Sequence, residues 1–62
     1  MASTKILIVE DEPLIAEDIR GFLEHSGFEI SGVAYNGEEA LNMLRDLEYD
    51  AVMHRILSLS AC

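Results

Sequence analysis

"ILIVEDEP", residues 6–13, runs four apolar residues straight into three carboxylates and a proline. An unbroken run of Ile, Leu and Val is the pattern of a strand buried on both faces, as in a parallel sheet. Lys5 to Val9 is therefore read as a first strand. Glu10, Asp11 and Glu12 then gather like charges at its end, an arrangement that raises the energy of the ionised forms unless an opposite charge offsets it.

Outward from this point the hydrophobic period changes four times. From Pro13 to His25 the apolar positions Ile15, Ile19, Phe22 and Leu23 recur at helical spacing. Pro13 suits a first helical turn and Gly27 a left-handed cap, so this is the first helix. Gly21 inside it costs about 1 kcal/mol relative to Ala, which a close helix-to-sheet contact would explain. Phe28 to Ala34 reads as a second strand, with Gly32 marking a bulge. Asn36 then caps a helix from about Gly37 to Leu47, with Ala40, Leu41, Leu44 and Leu47 turned inward. After the polar break at Glu48 to Asp50, Ala51 to Leu57 makes a third strand. Strands alternating with helices, without repeats or linkers, predict an α/β chain: a βαβαβ unit with right-handed crossovers.

Composition narrows what such a unit does. A chain of 62 residues is one domain at most, and at about this length only roughly 60% of the unfolded surface is buried on folding. Twelve acids against four bases give a net charge of −8. Nucleic acid and anionic membrane reward a basic face that Lys5, Arg20, Arg45 and Arg55 cannot assemble, so neither is an expected partner. A cation suits the chain better. The lone Cys62 cannot form an internal disulfide, and no signal segment or membrane-length apolar run is present, which makes a cytoplasmic location the expectation.

In a βαβαβ unit the chemistry sits at the carboxyl ends of the strands, in the crevice where strand order reverses. Glu10 and Asp11 fall there. Two readings fit them. Hard carboxylate oxygens suit Mg²⁺, which keeps several waters beside one or two protein carboxylates. Alternatively the acids form a solvated loop near the amino end of the next helix, where negative charge is stabilised by about 0.3–1 kcal/mol. The remaining chemically suggestive residues have plainer roles. His25 is placed as a dipole partner at a helix end, His54 has no companion for nucleophilic catalysis, and Met43 and Met53 are ordinary core or gap-filling residues. Cys62 reads as an exposed thiol.

Residues 5–52, "KILIVEDEPLIAEDIRGFLEHSGFEISGVAYNGEEALNMLRDLEYDAV", resemble the first part of a response regulator receiver domain, the phospho-accepting module of two-component signalling. The match rests on the order and spacing of the strand with its acidic pair, the first helix, the "SGFEISGVAYNGEEAL" passage and the "YDAV" entry to the third strand. The resemblance implies half of a doubly wound, flavodoxin-like fold with three parallel strands in the order 2-1-3. It also implies that Asp11 contacts Mg²⁺ directly and Glu10 through water, and that an Asp at the end of the third strand accepts the phosphoryl group. The implied partner is a sensor histidine kinase or a phosphotransfer protein.

That acceptor Asp has no counterpart. Counting on from "YDAV", its position falls on Arg55, preceded by His54. A guanidinium cannot serve as a carboxylate nucleophile, and at about 4 Å from a divalent ion, with an effective dielectric constant of roughly 20, it is repelled by about 8 kcal/mol before screening. Two placements of Arg55 remain: paired with Glu10 or Asp11 as an internal counter-charge, or turned to solvent at a strand end. The expected Mg²⁺ affinity is accordingly weak or absent.

The ending "HRILSLSAC" does not resemble the family, and residues 1–62 are expected to form a partial receiver domain, with 5–57 as the structured core and 58–62 as a divergent tail. The fourth and fifth strands, the switch hydroxyl and the phosphate-contacting Lys of the family are expected to be missing. Codon degeneracy allows the hypothesis of a reading-frame slip, which the nucleotide sequence would decide: read from the third base of a His54 codon, suitable codons spell Ser or Pro followed by Asp-Ile-Glu-Leu, with the Asp at position 55. Three functional readings follow. The first is a truncated receiver that keeps the acidic pair but lacks the acceptor. The second is an acidic interaction module that binds a histidine kinase or another receiver without taking phosphate. The third, a metal-dependent phosphoryl-transfer enzyme, lacks a glycine loop, nucleophile or base, so a non-enzyme is expected. The exposed third strand is expected to promote self-association.

Overall fold

The computed structural model describes residues 3–55. Within them the chain runs β1 (Lys5–Glu10), α1 (Pro13–His25), β2 (Glu29–Ala34), α2 (Gly37–Asp46) and β3 (Ala51–Arg55). All pairings are parallel and the strand order is β2-β1-β3, as expected for half of a flavodoxin-like sheet. The expected strand residues Ile56 and Leu57, and the tail, lie outside the described residues.

Burial follows the sequence pattern most closely at β1. From Ile6 to Glu10 every residue is buried, because β1 is central and has a helix on each face. Ile6 and Ile8 point to one face, where they meet Leu23, Ile19, Ile30 and Val33. Val9 points to the other, against Ala34, Ala40 and Met43. The helices therefore lie on opposite faces of the sheet.

A bulge in β2 makes this two-sided packing work. The register steps from Ile6↔Ile30 to Leu7↔Gly32, so Ser31 is the extra residue. Without it Ile30 and Val33, three apart, would face opposite sides. With it both reach the α1 face.

The bulge also puts Gly32 under α2. A Cβ there would lie 3.0 Å from Leu47 Cδ1 and 3.3 Å from Met43 Sδ. The close helix-to-sheet contact expected at Gly21 is thus found at Gly32, since a Cβ at Gly21 would meet nothing within 4 Å and that position faces outward. Gly27 does take the left-handed conformation expected of it, with φ 101°.

Other expectations need correction. Phe22, one of the apolar positions at helical spacing in α1, and Leu41, expected inward, are 70% and 68% exposed. Leu23 and Ala40 are buried as expected, and Ala16 joins them; these small or well-directed side chains let the helices sit close to the sheet. Phe28 precedes β2 and donates its N–H to the Leu23 carbonyl, which closes α1 instead of starting the strand. Leu47 is the C-cap of α2 and no longer helical. Met53 is 40% exposed, because neither helix packs on β3.

The two helices begin differently. α2 carries its own start signal: Asn36 Oδ1 accepts from the Glu39 N–H at 2.8 Å, and Glu39 Oε1 accepts from the Tyr35 N–H at 2.8 Å. This reciprocal pair satisfies backbone donors at the helix end. Asn36→Ala should cost about 1 kcal/mol, read as a lower urea midpoint; an unchanged midpoint would show that tertiary packing alone holds this end. α1 has no such cap. Its N-cap residue is Glu12, whose side chain makes no capping bond, followed by Pro13, which has no N–H to offer.

Candidate functional site at the carboxyl edge of the sheet

After β1 the chain leaves to one face through α1 and returns as β2; after β2 it leaves to the other face through α2 and returns as β3 on the far side of β1. The crevice between the carboxyl ends of β1 and β3 is therefore the point where the winding reverses. Open α/β sheets bind their ligands at such a point.

Glu10 and Asp11 stand there. Glu10 is the last residue of β1 and is fully buried, and Asp11, in the bend that follows, is half-buried. The fully buried Glu10 carboxylate accepts a hydrogen bond through Oε2 from the Glu12 N–H at 2.9 Å. A buried carboxylate engaged by a backbone donor avoids part of its desolvation cost. The sequence reading missed this bond. Its signal was a Glu two residues before a residue that must start a helix without a cap of its own.

Arg55 ends β3, and the β1–β3 ladder places it opposite Glu10, one step beyond Val9↔His54. Neighbouring strands lie about 4.8 Å apart, so the backbone of position 55 is next to the acidic pair. Among the described residues, no group of three or more His, Cys, Asp or Glu side chains is arranged to hold a metal.

The opposite, amino-terminal edge is laced by other polar contacts. Lys5 N–H donates to Asp50 Oδ2 at 2.7 Å, and Asp50 N–H donates to the Lys5 carbonyl at 2.7 Å. Lys5 Nζ lies 3.1 Å from Glu48 Oε1, and this pairing, with Glu29 and Asp50 nearby, raises the Lys5 pKa above its ordinary value. A shallow concavity at this edge is lined by Ser3, Lys5, Leu47, Glu48, Tyr49 and Asp50. It is at the wrong end of the strands for the chemistry of a doubly wound sheet. On α1, Arg20 bridges Glu17 and Glu24 at the surface and takes no part in the crevice. His25 is the basic residue in the last turn of α1, where its helix-end role was expected.

The family model of the response regulator receiver domain matches residues 6–56. The chain belongs to the response regulator receiver family. Among curated proteins it is similar to the probable C4-dicarboxylate response regulator DctR of Halalkalibacterium halodurans, 38% identical over 50 residues, covering 79% of this chain and 22% of that protein. It is also similar to the phyllosphere-induced regulator PhyR of Methylorubrum extorquens, 46% identical over 41 residues, covering 66% of this chain and 15% of that protein. The transcriptional regulatory protein CrdR of Helicobacter pylori is 45% identical over 40 residues, with 64% of this chain and 18% of that protein covered. The chain thus spans between 15% and 22% of the length of these relatives. No solved structure matches it. Receiver domains are signalling modules of two-component systems that engage histidine kinases or phosphotransfer proteins. No helix among the described residues is long and apolar enough to cross a membrane.

Proposed function

We propose that this receiver-family chain keeps an acidic, cation-facing crevice but does not accept a phosphoryl group. The observation that carries the reading is the β1–β3 register, which pairs Glu10 with Arg55. The resemblance assigns the phospho-acceptor Asp to that strand end. Arg cannot form an acyl phosphate, because it has no carboxylate oxygen to attack phosphorus. The testing experiment is exposure to a small-molecule phosphodonor with Mg²⁺, followed by intact mass measurement.

Asp11 would hold Mg²⁺ directly and Glu10 through water, and the ion would supply charge neutralisation for an incoming phosphate. Two carboxylates suffice for Mg²⁺ only when waters complete the shell and no fixed cation competes. With Arg55 at the adjacent strand end, binding is weak. Millimolar Mg²⁺ should leave the amide resonances of residues 9–12 in place. Arg55→Ala should make them titrate if the guanidinium serves as the crevice's counter-charge; an affinity unaltered by that substitution would mean that Arg55 is turned away from the acids.

A second reading is favoured by one feature of α1. Leu14 and Phe22, two helical turns apart, are 83% and 70% exposed. Large exposed apolar side chains on one helix are the raw material of a protein contact. This reading makes the chain an acidic module that binds a histidine kinase or another receiver through α1 without phosphotransfer. Capture of a kinase by the parent chain, lost in Leu14→Glu/Phe22→Glu, would support it; equal capture by both would sink it.

A further inference from the structure

We propose that Glu10 is a positioning residue: its buried carboxylate, by accepting the Glu12 N–H, fixes the β1–α1 turn that carries Asp11 to the crevice. The inference rests on the cation-facing reading above and assigns Glu10 a role within it that acts through Asp11.

Three observations converge on this. The Glu10 side chain is fully buried, and its Oε2 lies 2.9 Å from the Glu12 nitrogen. The turn that this bond closes contains a single intervening residue, Asp11. The start of α1 has no side-chain cap of its own: Glu12 makes no capping bond, and Pro13 sets the first turn without an N–H to be held. At α2 the same task is done locally by Asn36 and Glu39. At α1 it falls to a side chain anchored on the central strand.

The physical consequence is directional. Glu12 has the extended conformation of an N-cap residue, φ −102° and ψ 110°, and its carbonyl accepts the first helical bond, from the Ala16 N–H at 2.9 Å. Holding the Glu12 N–H fixes where the chain turns between β1 and α1, and therefore where Asp11 stands. An acceptor oxygen at position 10 is what this job needs. A negative charge is not.

That distinction separates the two ways in which Glu10 can matter. Glu10→Gln keeps an acceptor oxygen of the same reach and removes the charge; Glu10→Ala removes both. The full chain would be studied by NMR with trimethylamine N-oxide added to favour the folded state. Two signals would be followed: hydrogen exchange at the Glu12 amide, and broadening of the residue 10–13 amides by substoichiometric Mn²⁺, a probe sensitive to weak occupancy.

The expected pattern is specific. Glu10→Ala should exchange its Glu12 amide about tenfold faster, the loss of one charge-assisted bond, and should lose the Mn²⁺ broadening. Glu10→Gln should keep the Glu12 protection within about threefold of the parent, as a neutral acceptor replaces a charged one, while its Mn²⁺ broadening falls with the lost charge. Asp11→Asn should lose the broadening and keep the Glu12 protection. A Glu10→Gln chain whose Glu12 amide exchanges as fast as that of Glu10→Ala would overturn the proposal, since an acceptor oxygen at position 10 would then not hold the turn. So would a Glu10→Ala chain with unchanged Glu12 exchange. Absence of broadening in the parent would defeat the cation-facing reading alone, and the exchange arm would then decide the positioning role by itself.

Discussion

Incubated with a small-molecule phosphodonor and excess Mg²⁺, the chain is expected to gain no mass increment of one phosphoryl group and no hydroxylamine-sensitive bond. The expectation follows from the chemistry of position 55. Formation of an acyl phosphate needs a carboxylate oxygen at the strand end, and the residue that the register places beside Glu10 is Arg55. Arg55→Asp would return a carboxylate to that place and remove a positive charge from that strand end. Even so, phosphorylation of this variant should stay slow. The resemblance calls for a Lys that contacts the phosphate, and Lys5 does not fill that role, since it begins β1 and is tied to Glu48 and Asp50 at the other edge. About five strand steps at about 3.3 Å each separate the two ends. A phosphoryl increment on the parent chain would refute the proposal outright, and rapid labelling of Arg55→Asp would show that two carboxylates and a restored acceptor are enough.

A substitution in β1 should have the largest effect on folding. Leu7 and Ile8 are completely buried, whereas three of the eight core residues among those described, Ala16, Ala34 and Ala40, contribute little apolar area. Leu7→Ala should cost about 2–5 kcal/mol, transfer and cavity contributions together. A single core in a chain this short rarely supplies more than about 3–5 kcal/mol in all. The variant is therefore expected to lose its dispersed amide spectrum, while the parent keeps one and melts over a broad range. β3 adds a second weakness. Val52 and Met53 are 41% and 40% exposed on its two faces, and neither α1 nor α2 packs on the strand. An apolar edge strand that no described helix covers is a template for pairing with another chain. The isolated chain should associate as its concentration rises, Met53→Lys should reduce that association, and among the described residues the amides of 53–55 should exchange fastest. A sharp, concentration-independent melt of a monomer with protected amides through Arg55 would show that the core is stronger than its size implies.

The readable parts of the fold were those governed by local rules. The unbroken apolar run of β1 announced a doubly covered central strand, Asn36 announced the start of α2, and Gly27 announced a left-handed helix end. Each depends on a backbone or hydration requirement met within a few residues. The acidic pair at the end of β1 was legible for the same reason, since strand ends and crevices follow from the alternation of elements. That the strands order as 2-1-3 came from family resemblance and is what the sheet shows.

Tertiary structure decided what periodicity leaves degenerate. Phe22 and Leu41 satisfy a helical pattern, yet they lie outside the narrow stripe that meets the sheet, because that stripe is set by how closely Ala16 and Ala40 let the helices approach. The need for glycine at position 32 comes from Leu47 and Met43 arriving above the bulge, which no window around residue 32 contains. The hold of Glu10 on the Glu12 N–H is local in sequence, but its strength depends on complete burial, and burial is supplied by strands and helices distant along the chain. Local sequence could specify which groups stand at the end of β1. Only packing could remove them from water and so determine what each carboxylate does.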